Sequence, residues 1–167
     1  DTRAARSVLV CAFGAEEIGL VGSRHLVANL PVRRDRVDAM VNLDAVGRLG
    51  EGPLHVAGAA TCAPCASLLS AAADGAAPVM EHAGASFGSD HLAFLEAGIP
   101  ALFLFTSAYQ EMNSPADSLA AVDLPGLRTV ARVAAALVDS LRHARADLGF
   151  VAPVPVSRPA GGNRATW

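Results

Sequence analysis

Lysine does not occur in this sequence of 167 residues, and all thirteen basic residues are arginine. Sixteen acidic residues leave a formal net charge of −3. The chain therefore has no basic surplus of the kind that nucleic-acid backbones and anionic lipid surfaces attract, and neither is an expected partner. Long apolar runs are also missing. The strongest, Ala101 to Phe105, is far shorter than the ~20 residues a helix needs to cross a bilayer, so no membrane span is expected. No charged-then-apolar signal segment opens the chain, and residue 1 is Asp rather than Met. A processed chain or a fragment is the expectation.

Cysteine is scarce, with only Cys11, Cys62 and Cys65, so all three cannot pair with one another. Cys11 lies in an apolar run, where a free buried thiol is expected. Cys62 and Cys65 form a lone C-x-x-C pair. A zinc ribbon requires a second such pair, and a thioredoxin-type site requires a different surrounding pattern.

What the sequence does have is apolar content, 52% of its residues, enough for one core and one globular domain. Ser7 to Phe13 is a short run rich in β-branched residues and is expected to be a buried strand, followed by a helix from Glu16 to Leu30 that Pro31 stops. Val37 to Val46, Pro53 to Ala57 and Ile99 to Phe105 are further strand-like runs, and Pro64 to Ala73 and Ser89 to Ala97 are helix-like. The last helix is the clearest. Asp123 can cap it, Pro125 suits its first turn, and Leu127, Val130, Ala134, Leu137, Val138 and Leu141 repeat at helical spacing. Residues 1–149 are thus expected to form the domain, and 150–167, rich in Pro and Gly, a tail or linker. Alternating strands and helices predict an α/β fold with helices on both sides of a sheet.

Several acidic positions carry chemical potential, and each has a plainer explanation. Glu16 and Glu17 follow the first strand-like run, where adjacent carboxylates can divide into a metal ligand and a base, yet the first turn of a helix also favours Glu. Asp44 interrupts an apolar run, VNLDAVG, which a metal, a salt bridge or a strand-end turn would each explain. Ser89-Asp90-His91 opens a helix, where Ser or Asp can serve as a cap, and Asn113 to Asp117 reads as a turn.

In order and spacing these motifs together resemble the zinc aminopeptidase family of co-catalytic dizinc exopeptidases, which includes aminopeptidase Y, bacterial leucyl aminopeptidases, carboxypeptidase Q and, distantly, glutaminyl cyclases. The residues that carry the resemblance are VLVCAFGAEEIGLVGSRHL, VNLDAVG, GSDHLAFLEAGIPALFLF and NSPAD. It implies a three-layer α/β/α sandwich with a mixed, mostly parallel sheet, truncated here at its amino-terminal side. It also implies hydrolysis of peptides with a free amino terminus by a two-metal mechanism, with two zinc ions as cofactors. Glu16 would be the general base, Glu17 and Asp44 would each ligate a zinc, and Ser89, Asp90, His91 and Asp117 would support them.

Two departures qualify the resemblance. The family's first His ligand and bridging Asp lie upstream of the Glu-Glu strand, so a missing upstream segment is an expected partner. Its last His ligand falls at Asn113, a poorer zinc donor, for which His82 and His91 are the nearest substitutes in sequence. An incomplete, inactive chain is therefore expected. The alternatives left open are an inactive family member acting as a binding or interaction module, and a different hydrolase or cyclase on a related scaffold. Phe87, Phe94 and Tyr109 are pocket candidates by position, with Phe94 the better fit to a core. The resemblance points to a secreted or periplasmic protein.

Overall fold

The computed structural model describes residues 4–82, 88–107, 109–145 and 147–153. Four strands, β1 Met40–Leu43, β2 Leu54–Ala57, β3 Val79–His82 and β4 Ala101–Phe105, form one sheet in the order β1-β4-β2-β3. β1 runs parallel to β4 and β2 parallel to β3, while β2 and β4 are antiparallel. The helices are α1 Val21–Ala28, α2 Cys65–Ala73, α3 His91–Glu96 and α4 Leu124–His143. The mixed, mostly parallel sheet and the α/β class match expectation.

Alternation along the strands sorts the two faces. Leu54, Val56, Leu102 and Leu104 pack with Leu69 of α2 and Val130, Val133 and Leu137 of α4 into the main core. On the other face Ala101 joins Ala93, Phe94 and Leu95 of α3, with Met40, Leu26 and Val27 packed against them. The result is two helical layers around the sheet. At the tight approach of Gly58 to β4, a Cβ would stand 2.0 Å from the Ala101 carbonyl oxygen and φ is +79°, so only glycine fits.

α4 forms as its sequence dictates. The Asp123 carboxylate accepts from the Gly126 N–H at 3.0 Å and from the Gly50 N–H at 2.9 Å, which caps the helix and ties it to the loop after β1. Those two bonds hold the Asp123 carboxyl below its ordinary range. Arg142 and His143 occupy the last turn, where the helix dipole favours cations.

Three expectations are corrected. Ser7 to Phe13 is not a strand, because neither side of it meets another strand among the described residues. Val8, Leu9 and Val10 are 52, 63 and 89% exposed, and Cys11 is an exposed free thiol rather than a buried one. The segment is held at its start instead: Ala5 and Arg6 N–H groups bond to the Arg142 carbonyl, and Arg6 pairs with Asp38 at 3.0 Å. The expected helix from Glu16 begins only at Val21, because left-handed φ values at Ala15, Gly19 and Leu20 wind residues 16–20 into a turn closed by Gly19 and Leu20 N–H bonds to the Glu16 carbonyl. β3, four residues after Pro78, was not expected at all.

Cys62 and Cys65 form a disulfide at the start of α2. Leu148 is buried, and beyond it Phe150 bridges to Cys62 while the Val151 N–H bonds to the Thr61 carbonyl. The rest of the expected tail, 154–167, lies outside the described residues. No helix among the described residues is long and apolar enough to cross a membrane.

Leu137 is fully buried where α4 meets the sheet. Leu137→Ala is expected to lower unfolding free energy by about 2–5 kcal/mol, read by urea denaturation. A loss below about 1 kcal/mol would show that α4 is not packed on this core.

Candidate active site

The site lies where the C-terminal end of β1 meets the start of α3. Strand alternation sends Asn42 and Asp44 to the α1/α3 face, one residue on each side of Leu43. The Asn42 side-chain amide donates to the Ser89 hydroxyl at 2.7 Å, and that hydroxyl donates to Asp44 at 2.7 Å. Ser89 is fully buried, so its one oxygen joins strand and helix while using both of its roles, acceptor and donor. Behind Asp44 the chain turns through Ala45, at φ 51°, whose carbonyl accepts from the Thr106 N–H at 3.0 Å and from its hydroxyl.

The turn at residues 16–20 brings the Glu16 carboxyl to this place. The Glu16 carboxyl is raised from 4.5 to about 7, by burial first and then by the negative charges of Glu17, Asp44 and Asp90, in that order. Four carboxylates therefore share one electrostatic neighbourhood. Asp90 is itself buried, and its Oδ1 has no hydrogen-bond partner among the described residues.

His91 is where expected in the chain, but its ring is fully buried, 4.7 Å from the Phe103 ring, with neither nitrogen bonded among the described residues. Burial pushes it down to about 4, so it stands neutral at pH 7. His82 turns instead to His55, its Nε2 2.8 Å from His55 Nδ1. Asp117 lies in the turn after β4. It accepts from the Tyr109 hydroxyl at 2.8 Å and from Arg48 at 2.9 Å, and Arg48 lies over the Tyr109 ring at 4.4 Å. The bond from Tyr109, then that from Arg48, lowers the Asp117 carboxyl. Asn113 is exposed in the same turn at φ 57°, a conformation Asn tolerates.

The structure thus gathers Glu16, Glu17, Asp44, Ser89 and Asp90, while Asp117 and Asn113 sit in a separate turn and Asp117 is not among the charges that act on Glu16. Of the pocket candidates, Phe94 is core, 6.2 Å from Phe13, Tyr109 is engaged with Asp117, and Phe87 lies outside the described residues. Asn42 and Arg48 are the residues whose roles sequence reasoning missed. A polar side chain two positions before Asp44 in an apolar run signals Asn42 in retrospect, whereas nothing local marks Arg48.

Metal fit is decided by the donors. No group of three or more His, Cys, Asp or Glu side chains that could hold a metal ion occurs among the described residues. Carboxylates without imidazole or a bridging ligand do not make a two-zinc set, so the described residues alone do not fit one.

The sequence profile of Peptidase family M28 matches residues 1–138. Among solved structures, the Legionella pneumophila LapA aminopeptidase is similar at 25% identity and TM-score 0.67, over 79% of this chain and 38% of that one. A zinc aminopeptidase from Bacillus subtilis is similar at 26% identity and TM-score 0.63, over 83% of this chain and 37% of that one. Glutaminyl cyclase from Porphyromonas gingivalis shares the fold, at 21% identity and TM-score 0.58, over 78% of this chain and 49% of that one. The chain therefore spans less than half the length of each. No curated protein matches it significantly.

A carboxyl that titrates at 4.5 unfolded and near 7 folded binds more protons in the folded state between those values. Its contribution to stability is full below about 4.5 and is lost as pH rises through 7. In chelator-treated protein, Glu16→Gln is thus expected to raise Tm relative to wild type at pH 8, with the gap narrowing toward pH 5. An equal Tm gap at both pH values would show that Glu16 is not held protonated.

Proposed function

The chain belongs to peptidase family M28, and from that membership we propose that it forms part of a zinc-dependent, aminopeptidase-type exopeptidase domain acting on peptides with a free amino terminus. The observation that carries the reading is the gathering of Glu16, Glu17, Asp44 and Asp90 at the end of β1, with Glu16 raised to about 7. A base whose pKa lies near the working pH can take a proton from the attacking water and return it to the leaving amine. Glu16 has that property, and the buried Ser89 bridge fixes Asp44 beside it.

Because the described donors do not fit two zinc ions, the two-metal reading requires donors from elsewhere. We assign them to a segment upstream of Ser7 that supplies a His and a bridging Asp, with Glu17 and Asp44 as the ligands from this chain. Two features support a partner segment there: among the described residues β1 has a strand neighbour, β4, on one side only, and the apolar Val8, Leu9 and Val10 stand exposed. The Cys62–Cys65 disulfide supports an oxidising, secreted or periplasmic setting. Residues 1–149 would then be the domain's core and 150–167 the lead-out. The second reading, an inactive family member serving as a binding module, is favoured by one observation, the exposed Asn113 at the family's last His position.

The 167-residue chain is expected to retain well under one equivalent of zinc after gel filtration, by elemental analysis; about two equivalents would refute the need for outside donors. In a protein extended upstream through that His and Asp, Glu16→Gln is expected to cut amidase activity ~10²- to 10⁴-fold while metal content holds. Full activity would show the base to be another residue. In the same extended protein, Asn113→His should tighten one metal, measured by competition with a chelator, because imidazole is the stronger zinc donor. If neither metal content nor activity appears even then, the binding-module reading stands.

A further inference from the structure

One face of the sheet carries a row of rings that the peptidase reading does not use. His91, Phe103, Phe105, His55 and His82 follow one another with centroids 4.7, 4.6, 5.2 and 5.1 Å apart. The row arises from register, since His55 of β2 is opposite Phe105 of β4, and β3 lies next to β2. At its outer end His55 Nδ1 is 2.8 Å from His82 Nε2, and His55 Nε2 is 3.0 Å from the Ser107 hydroxyl. The two imidazole planes are within 19° of parallel, so at 5.1 Å between centroids their nitrogens meet edge to edge, as in an N–H···N hydrogen bond.

We propose that Ser107, His55 and His82 form a second, metal-independent nucleophilic site for small uncharged carboxylic esters, with Ser107 as nucleophile, His55 as base and His82 as the positioning residue. The geometry is that of an activated hydroxyl: nucleophile and base are in hydrogen-bond reach, and a third group orients the base. Only one tautomer serves. His55 Nδ1–H donates to His82 Nε2, which leaves the His55 Nε2 lone pair facing the exposed Ser107 hydroxyl. Burial, then the neighbouring His82, keeps His55 below the usual imidazole range, so at neutral pH it is uncharged and able to accept. Phe105 and, on the same face two residues before His82, the 47% exposed Met80 offer an apolar surface rather than charge.

In the reaction Ser107 Oγ forms a bond to the ester carbonyl carbon and its proton passes to His55 Nε2. Collapse breaks the bond from that carbon to the alcohol oxygen, and the alcohol leaves with the proton from His55. Water then repeats the attack with His55 as base, releasing the acid and restoring the Ser107 hydroxyl. One ester and one water give one acid and one alcohol.

The test uses the whole chain with an alkyl fluorophosphonate, which a serine nucleophile phosphonylates with loss of fluoride, and with p-nitrophenyl acetate, both with chelator present. Expected are a single adduct mapped to Ser107 by peptide mass and its loss in Ser107→Ala. The labelling rate should fall at least ~100-fold in His55→Gln. His82→Phe should label slowly, with partial rescue by His82→Gln, which keeps an acceptor. No adduct on the folded wild-type chain would overturn the proposal, as would ester hydrolysis undiminished in Ser107→Ala, since free imidazole can cleave this ester unaided. Because the Ser107 hydroxyl is exposed, Ser107→Ala decides the matter even if His55→Gln fails to fold.

Discussion

The buried hydroxyl of Ser89 is the joint on which the acidic site depends. It lies between Asn42 and Asp44, two side chains on the same face of one strand, and it opens the segment leading into α3. A buried hydroxyl with one partner lost would carry the cost of an unmade hydrogen bond, about 1–3 kcal/mol. With both partners present, the end of β1 and the start of α3 are locked together, and Asp44 and Asp90 are held where their charges reach Glu16. The joint thus adds to the raised Glu16 pKa, after Glu16's own burial and the charge of Glu17.

α4 was legible in the sequence because every signal agreed: a capping Asp123, Pro125 in the first turn, and apolar residues at helical spacing that the structure buries. β1, β2 and β4 were legible as apolar runs, though each is shorter than its run. Ser7 to Phe13 has the same pattern and is not a strand. Apolar alternation records that a segment suits burial in a sheet, but a strand also requires a neighbour to accept its backbone bonds, and none is present among the described residues. The turn at residues 16–20 escaped notice for a different reason. It rests on left-handed conformations at Ala15 and Leu20, residue types that do not advertise them.

The site was legible only as a set. Glu16, Glu17, Asp44 and Ser89 each had an ordinary explanation, and the resemblance in their order picked them out where composition and spacing could not. Their chemical states came from the structure, since the neutral, buried His91 and the raised Glu16 depend on what packs around them. His55 and Ser107 were not singled out in the sequence, and His82 only as a stand-in for Asn113. His82 and Ser107 lie 27 and 52 residues from His55 along the chain, and the pairing of β2 with β3 and β4 brings them into contact.

In the two groups of side chains burial shifts the titrating group in opposite directions. Among the carboxylates, burial and like charge disfavour the ionised form and lift Glu16 to about 7. Among the imidazoles, burial and a neighbouring ring disfavour the ionised form and lower His55. Desolvation leads in both cases, and its sign differs only because a carboxyl is charged when deprotonated and an imidazole when protonated. The one cause therefore keeps Glu16 protonated to a higher pH and keeps His55 uncharged to a lower one. A cation brought to the carboxylates would reverse the first shift by favouring the charged form of Glu16, while leaving the bonds of His55 to His82 and Ser107 in place.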